Sequence, residues 1–90
     1  MPHVFFHLCD GDDLVLDDEG RIIDDHAAVV KAALHEARGM ISAEAMQGRV
    51  WLDQRIDVVD AAGTIVHRLQ FADAVFLKLP AGWQPVSAHG

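Results

Sequence analysis

His3-Val4-Phe5-Phe6-His7-Leu8-Cys9, followed at once by Asp10-Gly11-Asp12-Asp13, is the stretch that decides the fold. Val4, Phe6 and Leu8 alternate with His3, Phe5, His7 and Cys9, which is the period of a strand that buries one face. The acids and the glycine behind it are turn formers, so the chain reverses there. Leu14 to Leu16 and Arg21 to Ile23 are both candidates for the returning strand, with Asp17-Asp18-Glu19-Gly20 as a turn between them. The pattern leaves open which of the two pairs with the first strand.

Beyond this hairpin the period lengthens to that of a helix. Asp24 or Asp25 can accept a hydrogen bond from the free N–H groups of a first helical turn, and an acid there also suits the helix dipole. Val30, Leu34, Ala37, Ile41 and Ala45 form one apolar stripe, while Lys31, His35, Arg38 and Glu44 fall beside or opposite it. Gly39 costs roughly 1 kcal/mol against Ala but leaves the stripe in phase, and Gly48 is the expected stop. Arg55 to Asp60 and Thr64 to Phe71 then flank a second acid-and-glycine loop, Asp60-Ala61-Ala62-Gly63. Ile56 and Val58 face one way, joined by Ile65, Leu69 and Phe71 unless a bulge at the glycine turn shifts the faces.

The expected fold is therefore α+β in two layers: an antiparallel sheet of about four strands in ββαββ order, with one long helix packed on one face. Ala74 to Leu79 is apolar enough for a short extra strand, whereas Pro80, Gly82 and Pro85 end regular structure. Residues 1–79 are expected to form one compact domain and residues 80–90 a flexible tail.

Composition narrows the function classes. The 90 residues carry 14 Asp and Glu against 7 Lys and Arg, a formal net charge of −7, so a nucleic acid would be repelled. Eight of the acids fall between Asp10 and Asp25, which concentrates the negative field near the first hairpin. Cys9 is the one cysteine, so neither an internal disulfide nor a multi-cysteine metal site can form. No apolar run approaches the ~20 residues of a membrane span, and Met1-Pro2-His3 lacks a basic leader start. A cytoplasmic protein is expected.

The opening His-Val-Phe-Phe-His-Leu-Cys-Asp-Gly, the Asp17-Asp18-Glu19-Gly20 turn, the alanine-rich helix from His26, and Ile56-Asp57-Val58-Val59-Asp60 with Gly63 and Phe71 carry a resemblance. Together they resemble a small bacterial family of unknown function whose members open with an aromatic Tyr/Phe-Phe-His/Asp strand followed by Asp-Gly. The resemblance runs from about Pro2 to Phe71. It implies a compact domain with no assigned activity, cofactor or catalytic residue. The turn after Asp60 is less acidic here than the family's.

The histidines raise metal binding. His3 and His7 share a face but stand about 13 Å apart along a strand, too far to chelate one ion alone. A site assembled across strands from His3, His7 and His67 stays open as a ligand-binding or metal-binding alternative. His35-Glu36-Ala37-Arg38-Gly39 has glycine where a zinc-protease helix needs its second histidine. The loop from Asp10 departs from calcium-loop spacing at Leu14 and Val15. Cys9 and His7 lie ~6.5 Å apart on one face, too far for direct activation of a thiol. No nucleophile elbow, phosphate loop or dinucleotide fingerprint occurs, so neither an enzyme nor a cofactor is expected.

One helix covers one face of a sheet. The other face is expected to hold Phe5, His7, Val59, Val66 and Arg68 as an interface, with His3 and Cys9 beside them, and a homodimer is the expected cover. Phe76 and Trp83 of the C-terminal segment, or another protein partner, are the other candidates. The expectation is a non-enzymatic accessory or regulatory protein that acts through protein contacts.

Overall fold

The computed structural model describes residues 2–84. Strands β1 (His3–Asp10), β2 (Asp13–Val15) and β3 (Arg21–Ile22) precede helix α1 (His26–Met46), and β4 (Arg55–Asp60) and β5 (Ile65–Gln70) follow it. All pairings are antiparallel, in the order β2-β1-β4-β5, with β3 also on β1. The two-layer α+β architecture is the expected one, and β1 and β4 form its middle.

Both candidate partners of β1 pair with it. β2 lies opposite Leu8 to Asp10 and β3 opposite His3 and Val4, so one edge of the sheet is built from two short pieces. The gap between them is filled by a side chain. Phe6 N–H donates to Asp17 Oδ2 at 3.1 Å, and the Glu19 and Gly20 N–H groups donate to Asp17 Oδ1 at 3.2 and 3.0 Å. Asp17 N–H in turn donates to His7 Nδ1 at 3.1 Å, and His3 Nε2–H donates to Glu19 O at 2.8 Å. Carboxylates that accept several backbone N–H bonds are stabilised in the charged form, so the Asp17 carboxyl is held below its ordinary value, by Gly20 first and by Phe6 and Glu19 after it. Gly20 sits at φ +68°, and a Cβ there would lie 2.6 Å from His3 Nε2 and 2.7 Å from Val4 O. Only glycine fits this crossing.

Asp25 caps α1, its Oδ1 accepting from Ala27 N–H at 3.3 Å. At the other end Gly48 takes φ +92°. Gly48 N–H donates to Ala45 O at 3.0 Å and Arg49 N–H to Glu44 O at 3.2 Å, the paired bonds of a Schellman ending. The buried stripe is Val29, Ala33 and Ala37, of which the expected stripe contained Ala37 alone. Ala33 and Ala37 are fully buried, and Leu34, Met40 and Ile41 pack partly buried around them. Two alanines at the contact bring the helix backbone close to the sheet, and the longer side chains then fill the gaps on either flank.

The second hairpin turns on Asp60, whose Oδ1 accepts from Ala62 N–H and Thr64 N–H, both at 2.9 Å. Ile56 and Val58 of β4 are buried beneath α1 together with Val4, Phe6 and Leu69. After β5 a short 3-10 turn, Phe71–Asp73, tucks Phe71 and Ala74 into the same core. Phe71 N–H donates to Gln54 O at 2.9 Å and Arg38 Nε donates to Ala74 O at 2.7 Å, tying this turn to the approach of β4 and to the helix. That turn leads the chain away from the sheet. Residues 74–79 accordingly form no strand, and Phe76 is 88% exposed, which corrects the extra strand considered there. Of the expected tail, residues 85–90 lie outside the described residues.

Candidate functional site

Strand alternation and register together place each side chain of the uncovered face. Phe5 lies opposite Val59, and Val59 opposite Ile65, which makes one apolar row across three strands. The next row is His7, Asp57 and Arg68, and the third is Cys9, Arg55 and Gln70. Leu14 extends the third row opposite Cys9, and Ile22 stands opposite His3 at the far edge. Leu14, Ile22 and Ile65 are each about half exposed, at 57%, 57% and 48%. His3 stacks on Phe5 with ring centroids 4.7 Å apart.

Four of the five expected interface residues, Phe5, His7, Val59 and Arg68, share this face. Val66 does not. A bulge between Val58 and Val59 leaves Val66 as the extra residue of β5, and its side chain packs against the core. Ile65 takes the place expected for Val66, and the expectation that Ile65 joins the core is corrected with it. An inserted residue reverses the face of everything on one side of it, here Ile65 at the start of β5.

The middle of the face is a charge cluster. Asp57 is 7% exposed although it lies on the uncovered side. Arg68 spans its carboxylate with Nε at 2.7 Å from Oδ1 and Nη2 at 3.0 Å from Oδ2, and Arg55 Nε adds a third bond at 3.1 Å. The Arg68 bonds, followed by those of Arg55, pull the Asp57 carboxyl down to about 2. The two guanidinium groups shield the carboxylate from water and remain partly exposed themselves.

Cys9 Sγ–H donates to Asp57 Oδ2 at 3.6 Å. Burial pushes the thiol pKa up and the Asp57 charge pushes it further, which disfavours the thiolate a nucleophile requires. His7 spends Nδ1 on accepting from Asp17 N–H and makes no hydrogen bond to Cys9. The cluster is therefore built to hold three strands in register, and its chemistry is that of a charged, hydrogen-bonding surface.

The three histidines considered for a metal are not brought together. His67 lies opposite Val58 on the helix-covered side, edge-on to His26 with ring centroids 5.9 Å apart, while His3 and His7 are on the other side of the sheet. Among the described residues, no three or more His, Cys, Asp or Glu side chains are grouped to hold an ion. His67 Nε2 is buried and has no hydrogen-bond partner among the described residues.

Arg55, Asp57, Ile65 and Gln70, with Leu14 and Ile22 at the divided edge, are the residues of this face that sequence reasoning missed. The Arg55-x-Asp57 spacing, two residues on one strand face, was the available signal for a local ion pair, but Arg68 joins it only through the register of β4 with β5. Among the described residues, no helix is long and apolar enough to cross a membrane. No curated protein and no solved structure matches the chain. A family model described as a domain of unknown function, DUF6894, matches residues 3–72, which is most of the sequence, and the chain belongs to that family.

Proposed function

We propose that this domain acts through protein contacts and not through catalysis, with its uncovered sheet face taking a second copy of the chain. The observation that carries the reading is the apolar row Phe5, Val59 and Ile65, with half-exposed Ile22 beyond it opposite His3 and half-exposed Leu14 two rows away opposite Cys9, on the side away from the one helix. A two-fold contact uses one patch twice, so apolar rows can meet while Asp57, Arg68 and Arg55 present both signs of charge to their copies. A chain of 90 residues has little core of its own, and covering this face adds buried area where it is short. The role that follows is accessory or regulatory, in the cytoplasm, where a lone cysteine stays reduced.

Light scattering coupled to gel filtration tests it. A dimer is expected for the native chain, and Ile65→Glu, which places a charge on the apolar row, is expected to give a folded monomer with an unchanged circular dichroism spectrum. A native chain that is monomeric at high micromolar concentration removes the homodimer. A dimer that survives Ile65→Glu moves the contact to another surface.

A further inference from the structure

A separate cleft of about 410 Å³ opens at the C-terminal end of α1, on the helix-covered side of the sheet. Leu8, Met40 and Ala43 give it an apolar floor, and Asp10, Glu44, Arg49, Trp51 and Gln54 give it polar and aromatic walls. Its size lies within the range of small-molecule sites.

A residue of the wall already places one cation in this space. The Arg49 guanidinium lies over the Trp51 ring, 5.8 Å from its centroid, and pairs through Nε with the Glu44 carboxylate. One cation is thus held by an aromatic face and an acid. A second acid lines the same space: Asp10 Oδ2 accepts from Gln54 Nε2 at 3.1 Å, and its other oxygen accepts no hydrogen bond among the described residues. The last turn of α1 contains no basic residue, so the negative end of the helix dipole adds to the two carboxylates. Two acids and a helix C-terminus against one guanidinium leave the cleft negative.

We propose that this cleft binds a small organic cation, an amine or guanidine carried on an apolar body. The charged group sits against Asp10 and the face of Trp51, the apolar body lies on Leu8, Met40 and Ala43, and Arg49 is the internal cation that the ligand displaces from the ring. An anion of the same shape meets Asp10 and Glu44 and is repelled. No residue of the cleft belongs to the uncovered sheet face, so this site and the proposed dimer stand or fall separately.

The chain has two tryptophans, and Trp83→Phe leaves Trp51 as the sole reporter. Titrating that variant with benzylamine, benzyl alcohol and benzoate while following Trp51 fluorescence is expected to give a saturable change with benzylamine alone. Asp10→Asn, which keeps an oxygen for Gln54, is expected to weaken benzylamine several-fold, and Arg49→Ala to tighten it several-fold by removing the competitor. Equal binding of benzoate or benzyl alcohol, or no saturable response to benzylamine, overturns the proposal. Should Asp10→Asn fail to fold, Arg49→Ala decides alone: weaker benzylamine binding overturns the site.

Discussion

The two faces of the sheet solve the same problem in opposite ways. On the covered face Val4, Phe6, Ile56, Val58 and Leu69 meet a helix whose buried residues are Val29, Ala33 and Ala37, and stability there comes from close packing. On the other face Asp57 is buried as deeply as a core residue, but by Arg55 and Arg68 laid across it, and stability comes from charge-assisted hydrogen bonds. Packing of the first kind involves apolar side chains that carry no charge to titrate or screen. A network of the second kind depends on pH and salt, which makes the comparison open to experiment.

Removing a core side chain should cost most. Phe71 is 1% exposed, and Phe71→Ala is expected to destabilise the domain by about 3–5 kcal/mol in chemical denaturation, at every pH where the native chain folds. A cost below about 1 kcal/mol would show that the turn after β5 is not part of the cooperative core.

Asp57→Asn should cost less and change the acid limb. The native-state Asp57 carboxyl sits at about 2, below the ordinary value of an unfolded chain. A depressed carboxyl contributes stability that is present above about pH 4 and is lost as pH falls through the folded value. Because both arginines are partly exposed, the contribution near neutrality is about 1–2 kcal/mol. Denaturation midpoints measured between pH 2 and 7 should therefore fall less steeply with acid in Asp57→Asn than in the native chain. Asp17 contributes in the same direction, so some slope remains in the variant. Identical slopes would break the contrast between the faces.

The smallest effect should carry the opposite sign. Gly39 lies on the exposed side of α1, with nothing within 4 Å of where a Cβ would stand. Gly39→Ala is expected to raise stability by about 0.5–1 kcal/mol in thermal denaturation, since it removes a backbone-entropy cost without a new contact. A loss of stability would mean that the outer side of α1 is itself packed against something.

What the sequence disclosed, and what it hid, follows the range of each interaction. The Asp25 cap, the Gly48 stop, both acid-and-glycine turns and the alternation of β1 depend on a few neighbouring residues, and each is where the residue types place it. Ala37 lies at the helix contact as expected, but Ala33 was passed over because Leu34 and Ile41 carry more apolar surface, whereas closeness of approach rewards the smaller residue at the contact. The bulge at Val66 was a possibility without a marker in the pattern, so Ile65 and Val66 exchanged faces. Division of the β1 partner into β2 and β3 was hidden for a similar reason: Asp17 reads as a turn acid, and its carboxylate serves as a substitute for missing strand. The Asp57 cluster needs β1, β4 and β5 in register before Cys9, Arg55 and Arg68 meet at one carboxylate.

The divided edge has a consequence for how copies of this sheet can meet. A long unbroken edge strand would offer a ladder of free backbone groups on which another chain could continue the sheet. Here one edge is three residues and two residues long, interrupted by the acidic crossing at Asp17 to Gly20, and the other edge is bent by the bulge at Val66. Both margins resist growth by strand addition, the route that leads to open-ended fibres. The two-copy contact proposed for the broad surface of the sheet needs neither margin.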